Sequence, residues 1–192
     1  MNALRILEDF YRGIMASYPP QGETLLARVR PEAWRQLAFR YTLSVEAMTQ
    51  ISHIIEEQAM QHPRPVCFHV SFQILSRFLP QRKRYQALAP RVKQLWLYGA
   101  FDVADPEEAR VGPNVILVNT EGTLLVSYWF VIAYGPGLSM CLLAREIPAL
   151  DGRGRFYEGF YTFEPAVAYE ILTMLHLAFP SQVPTPAQVE EL

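Results

Sequence analysis

Residues 66–102 read VCFHVSFQILSRFLPQRKRYQALAPRVKQLWLYGAFD, and the fold turns on how they are divided. VCFHVSF (66–72) is short, apolar and rich in β-branched and aromatic residues, the composition of a buried strand. KQLWLYGAFD (93–102) repeats that pattern and ends at a glycine and an aspartate, which predicts a second strand. Between them Pro80 interrupts any single helix. The sequence therefore predicts a short helical stretch to about Phe78, a break, and a second helix that buries Tyr85 and Leu88. Two strands joined through a helix argue for a parallel pair, which needs a crossover connection of this kind.

Upstream, Ser44 can cap a helix, and Leu43 and Met48 stand at the spacing of a hydrophobic staple. Val45, Met48, Ile51, Ile55 and Ala59 form its apolar stripe, and HPRP (62–65) stops it. A helix is also predicted at the start, where Leu4, Leu7, Phe10, Tyr11, Ile14 and Met15 share one side, with YPPQGE (18–23) ending it. Pro31 suits a first helical position, so a short helix through Trp34, Leu37 and Ala38 is expected. Downstream, NVILVN, TLLVSYWFVIAY, LSMCLLARE and RFYEGFYTF are strand-like, with GPG (135–137) turning a hairpin. Glu164 and Pro165 open a closing helix faced by Val167, Ile171, Met174, Leu175 and Ala178. The expected fold is α/β (α+β): a mixed sheet of five to six strands flanked by helices, with an N-terminal helical extension. The expected division is an extension over 1–43, a domain over 44–179, and a mobile polar tail over 180–192.

Composition excludes several functions. The 17 basic residues make no long run and the net charge is −2, so a phosphate-binding face for nucleic acid is disfavoured. Arg82, Lys83 and Arg84 form a local basic cluster, expected on the outer surface. Cys67 and Cys141 are far apart, lie in apolar runs and have no Cys-x-x-Cys partner, which suits two reduced thiols and a cytoplasmic protein without a cofactor or metal centre. The start carries acidic residues and no continuous apolar core, unlike a signal peptide. The longest apolar run is roughly half of the ~20 residues a membrane helix requires, so no membrane association is expected.

Four stretches in order, ISHIIEEQAM, SFQILSRFLPQRKRYQALAPRVKQLWLYGAFD, YWFVIAY and RFYEGFYTFEP, resemble the DICT sensory domain family, which accompanies diguanylate cyclases and two-component systems in bacteria. The resemblance runs from about Ser44 to Phe179. It implies a non-enzymatic sensory or interaction module. Tyr128 precedes Trp129 where family members tend to carry an acidic residue. The stretch before Ser44 is too short for a cyclase or kinase domain. A signal would then pass to a partner of cyclase, kinase or response-regulator type. The apolar stripe of the first helix could fold back on its own domain or pair with a second copy; the homodimer is the expectation carried forward.

The candidate site lies beyond the C-terminal ends of the two parallel strands, the edge at which open α/β sheets bind ligands. Gln73, Arg77, Tyr85 and Asp102 could converge there on a small polar ligand, with Trp129 among the aromatics of the central strand. The competing reading is structural: Arg77 and Asp102 as an ion pair, with Gln73 satisfying loop backbone. Cys67 and His69 share a strand face and invite a thiol-enzyme reading. Neighbours on one strand face are spaced about 7 Å, too far for direct proton transfer. The dense aromatics, Trp96, Tyr98, Tyr128, Trp129, Phe156, Tyr157, Phe160 and Tyr161, are core unless one sheet face is uncovered, in which case they offer a scaffold surface. The glycines of DGRGR (151–155) and YGPG (134–137) fit turns rather than a phosphate-binding loop.

Overall fold

The structure, a computed structural model, describes residues 3–17, 20–21, 39–147 and 155–189. The expected helix from Pro31 and most of DGRGR lie outside the described residues. The strands are β1 (Pro20–Gln21), β2 (Phe39–Ser44), β3 (Cys67–Ile74), β4 (Gln94–Ala100), β5 (Val115–Asn119), β6 (Tyr128–Gly135), β7 (Leu138–Ile147) and β8 (Phe156–Thr162). The helices are α1 (Ala3–Ser17), α2 (Val45–Gln61), α3 (Arg82–Leu88) and α4 (Pro165–Ala178).

They build one mixed sheet in the order β1-β2-β8-β7-β6-β3-β4-β5. The β3–β4 pair is parallel, from Cys67 opposite Gln94 to Ser71 opposite Tyr98, as the crossover requires. β5 extends that parallel half; the β3–β6, β6–β7, β7–β8 and β8–β2 pairs are antiparallel, and β1 lies parallel to β2. The sheet exceeds the expected five to six strands because β2 and the two-residue β1 join its far edge. FRYTLS (39–44) carries mixed polar residues, and its pairing comes from β8 rather than from its own pattern. One strand-like run is shortened. In TLLVSYWFVIAY the first part, Leu124–Ser127, is a 3-10 turn whose Leu125 amide bonds the Thr123 hydroxyl, and β6 begins only at Tyr128.

Local chemistry explains the ends of these elements. Ser44 Oγ accepts from the Ala47 amide at 3.3 Å, and Leu43 and Met48 are both fully buried, completing the staple around the first turn of α2. At the other end of the chain, Glu164 occupies the position before α4 without a side-chain cap bond; Pro165 supplies the preset first turn. β6 and β7 are joined through Pro136 and Gly137, and Gly137 takes the φ of +80° that the second central residue of this turn needs.

Helices cover both sheet faces. On one face α2, α3 and the turns around them pack on Phe68, Val70, Leu95, Leu97, Val131, Leu142 and Tyr157. On the other, α1 and α4 pack on Trp96, Tyr98, Phe130, Ile132, Leu143 and Phe160. A sheet buried on both sides needs nearly continuous apolar strands, which is what YWFVIAY shows. It also removes the uncovered aromatic face on which a scaffold surface would rest. Leu7 and Tyr11 of α1 are buried, and the Tyr11 hydroxyl donates to the Glu158 carbonyl of β8. Arg145 lies over the Tyr11 ring at 5.9 Å and pairs with Glu8 at 3.4 Å. The apolar stripe of α1 is thus covered within one chain, and the sequence argument for a dimer through it falls away. The segment after α4, expected as a mobile tail, lies along the sheet through Val189: Trp96 Nε1 donates to the Gln182 carbonyl at 2.9 Å, and Val183 is buried.

Gly159 sits in the middle of β8 opposite Ala144. A β-carbon there would come within 2.5 Å of Ala144 Cα and collide with the Leu143 carbonyl. Gly159→Ala should therefore force β7 and β8 apart and destabilise the protein by about 2 kcal/mol or more, read as a lower urea midpoint. A midpoint equal to wild type would show that this contact is not rigid.

Candidate functional site

The candidate site grows from an irregularity in β3. Pairing of β3 with β6 ends at Val70 opposite Val131, and the register with β4 shifts between Ser71 and Ile74. Gln73 sits in that bulge with φ of +67°, a left-handed conformation a non-glycine residue adopts only when surrounding contacts hold it. Its buried amide makes those contacts. Gln73 Nε2 donates to the Val126 carbonyl at 3.2 Å and to Glu146 Oε2 at 2.9 Å. Gln73 Oε1 accepts from the Tyr157 hydroxyl at 2.8 Å and from Arg77 Nη1. Arg77 also lies 3.4 Å from Glu146, and Arg155 Nη1 reaches the Tyr157 hydroxyl at 3.4 Å. Burial, then the neighbouring Glu146 carboxylate, pushes the Tyr157 phenol up to about 12, so it stays a donor at neutral pH.

Beside this network, between α2 and the sheet, is a cavity of about 290 Å³. Arg77 and Arg155 border it, Trp129 and Val131 of β6 and Val70 of β3 give it an apolar wall, and Tyr85 lies on the α3 side. The wall is fixed in place: Trp129 Nε1 donates to Ser52 Oγ at 3.1 Å, Ser52 donates to the Met48 carbonyl at 2.9 Å, and Tyr157 meets Trp129 edge-on at 5.3 Å. On the α3 side the buried Glu56 carboxylate accepts from the Tyr85 hydroxyl at 2.6 Å and from Arg84 Nε. Burial first, and then Glu56, holds the Tyr85 phenol well above its ordinary value.

Of the residues chosen from sequence, Gln73 and Arg77 meet directly, and Arg77, Tyr85 and Trp129 border one cavity. Asp102 does not join them. It is exposed and caps the turn after β3, accepting from the Ser76 amide at 2.8 Å and the Ser76 hydroxyl at 2.5 Å. Desolvation raises its carboxyl, but these and neighbouring backbone bonds together outweigh it and hold the group below its ordinary value. The ion pair expected in the structural reading is likewise not formed, since Arg77 turns to Gln73 and Glu146; the second half of that reading holds, because Gln73 does satisfy the Val126 carbonyl. Arg84 is drawn inward to Glu56 rather than presented with Arg82 and Lys83 on the outer surface.

Sequence reasoning missed Glu146, Tyr157, Arg155, Ser52 and Glu56. For two of them a signal existed: Ser52 and Glu56 are four apart and fall inside the apolar stripe of α2, where unpaired polar groups are costly. Glu146 and Tyr157 are brought to each other and to Gln73 by the β7–β8 pairing, which no local pattern announces, and Arg155 joins through Tyr157.

Residues 26–147 match the DICT family, a sensory domain in diguanylate cyclases and two-component systems. The chain belongs to the DICT family. The match opens before Ser44, where the resemblance was expected to begin, and closes at the end of β7, so RFYEGFYTFEP lies beyond it. No curated protein matches the chain. Nearly all of the cavity wall falls within the matched segment of this DICT domain; Arg155 does not.

Both thiols of this DICT domain are held above their ordinary pKa. Burial raises Cys67, against a smaller lowering by Lys93, and burial raises Cys141 far more. His69 stacks on Trp96 at 4.2 Å, its Nδ1 lies 2.9 Å from the Tyr98 hydroxyl, and burial lowers its pKa to about 3. No described helix is long and apolar enough to cross a membrane.

Two outcomes follow. Arg84→Met strands the Glu56 carboxylate and should cost about 3 kcal/mol, whereas Arg84→Met with Glu56→Leu should recover most of it, in a double-mutant cycle by urea unfolding. Additive losses would mean that the pair is not coupled. His69 is neutral when folded and takes a proton between about pH 6.5 and 3 once unfolded, so stability should fall as pH drops through that window, by up to about 1.4 kcal/mol per pH unit. His69→Phe should flatten the slope between pH 7 and 5; an unchanged slope would assign it to other groups.

Proposed function

We propose that this DICT domain is a non-enzymatic, cytoplasmic signalling module that binds a small molecule in the cavity between α2 and the sheet and passes the change to a partner of cyclase, kinase or response-regulator type. The observation that carries the reading is the cavity itself. It has a rigid aromatic wall at Trp129 and two arginines, Arg77 and Arg155, at its border. An apolar wall with a few fixed polar groups is the usual make-up of a ligand pocket. At about 290 Å³ it suits a compact ligand, with a flat body against Trp129 and an acidic or carbonyl group toward the arginines.

The family supports the sensory part of this reading, because the DICT domain is named for its occurrence with cyclases and two-component proteins and is not a catalytic family. A scaffold without a ligand has less support. Among the described residues the exposed large apolar side chains are Leu124, Phe156 and Leu177, scattered rather than joined in a patch.

Transmission would run through the elements the cavity joins. A ligand that displaces Arg77 or Arg155 disturbs the hydrogen bonds through which Gln73 ties β3 to β7 and β8. A ligand against Ser52 and His53 bears on α2 directly.

The test is a thermal-shift and native mass-spectrometry screen of small-molecule fractions from the cell that makes the protein. A fraction should raise the melting temperature of wild type, since anything that binds only the folded state stabilises it. Thr49→Trp, which fills the cavity from an exposed-side turn of α2, should fold and lose the shift. A shift that survives Thr49→Trp would place binding elsewhere, and protein that co-purifies and shifts only with a macromolecular partner would favour the scaffold.

A further inference from the structure

We propose that a second cavity, on the opposite sheet face beneath residues 183–189, binds a carboxylic acid whose apolar body ends in a hydroxyl group. After α4 the chain crosses the sheet and is tied at both ends of the crossing. At the first end, Gln182 Nε2 donates to the Leu117 carbonyl of β5 at 2.8 Å and the Gln182 carbonyl accepts from Trp96 of β4. At the second, the Val189 amide donates to the Tyr134 hydroxyl of β6 at 3.2 Å. β3 lies between β4 and β6, so the strap bridges over Cys67 and His69. The space under it is about 860 Å³, within the range of small-molecule sites, and the strap residues Pro184 and Pro186 form part of its boundary.

Three features define the occupant. Trp96, Tyr134, Leu172 and Ile116 make the interior apolar and partly aromatic. Arg64 and Lys93 are the charged residues among those that line it; both are exposed, and neither side chain has an ion-pair partner among the described residues. Exposed cations with no acidic neighbour in the lining complement an anionic head group where the cavity meets solvent. The third feature is His69. It is 3% exposed, lines the cavity, and spends Nδ1 on the Tyr98 hydroxyl, while Nε2 has no hydrogen-bond partner among the described residues. That nitrogen is not among the sealed, unpartnered side-chain atoms, so it opens on the cavity, where an occupant can bond to it. A hydroxyl at the far end of an apolar carboxylic acid does so in either imidazole tautomer, because it both donates and accepts. Anion at the mouth, apolar body under the strap and hydroxyl at His69 place each group of the ligand against its complement.

Isothermal titration of the full chain with ω-hydroxyalkanoates from hexanoate to dodecanoate tests the assignment. One member should bind saturably at one site per chain. Its methyl ester, which lacks the charge, should bind about tenfold more weakly, and Lys93→Glu should weaken the acid by a similar factor. His69→Phe should erase the preference for the hydroxy acid over the plain alkanoate of the same length. Ile116→Trp, which fills the cavity from a half-buried strand position, should abolish binding with the near-UV circular dichroism unchanged. The proposal is overturned if no member binds saturably, if acid and ester bind alike, or if the hydroxyl preference survives His69→Phe. Should Ile116→Trp fail to fold, the ester, Lys93→Glu and His69→Phe comparisons still decide.

Discussion

The bulge in β3 at Gln73 is the constraint on which the candidate site depends. Pairing with β6 ends at Val70 and pairing with β4 breaks between Ser71 and Ile74, and side chains take over on the β6 side. Ser71 Oγ donates to the Tyr128 carbonyl at 3.0 Å and accepts from the Gln73 amide, and Gln73 reaches the Val126 carbonyl. These bonds satisfy backbone groups that would otherwise be buried without partners where β6 gives way to the turn before it. The left-handed backbone at Gln73 costs roughly 1–2 kcal/mol, and its four side-chain partners are what holds it there. By bending β3 off its line, the bulge turns the chain onto the face where Arg77, the turns after it and α3 close against α2 and leave a cavity between them.

Burial on both sheet faces limits where the described residues leave open space. With α2 and α3 on one side and α1 and α4 on the other, most of the dense aromatics are interior, Phe156 excepted, and the described residues present no flat aromatic surface. Among the described residues each face carries a cavity, and the two differ in character. The α2 face has a small cavity bordered by hydrogen-bonded polar networks; the α4 face has a larger one roofed by a proline-bearing strap and floored by His69 and Trp96. The parallel strands β3 and β4 separate the two, so side chains alternating along β3 serve both: Val70 faces one cavity and His69 the other.

The family match and the structure divide the molecule in an informative way. The DICT match ends with β7, yet β8 and α4 are integral to the fold: β8 pairs with β7 along its whole length and supplies Tyr157 to the Gln73 network. α1, which precedes the match, covers Tyr128 and Phe160. The matched core carries the bulge, the aromatic wall and most of the cavity, while flanking elements complete its packing.

Local chemistry in the sequence determined most of the element types: the crossover between residues 66 and 102, the Ser44 cap with its Leu43–Met48 staple, the hairpin at GPG, and the proline that opens α4. Each is written within a few neighbouring residues, so no partner is needed to read it. The parallel sense of β3 and β4 was legible too, because a strand–helix–strand unit has the crossover a parallel pair needs. Strand β2 was not, since its hydrogen bonds come from β8, over a hundred residues away, and not from its own propensity. The site was half legible for the same reason. Gln73 and Arg77 are four apart and Tyr85 follows on the next helix, but Glu146 and Tyr157 meet Gln73 only when β7 and β8 are laid beside the central strands, and Arg155 comes with Tyr157. Whether Arg77 would choose Asp102 or Glu146, and whether the first helix would cover its own sheet or a neighbour's, depended on distances that pairing and packing create and that residue order does not contain.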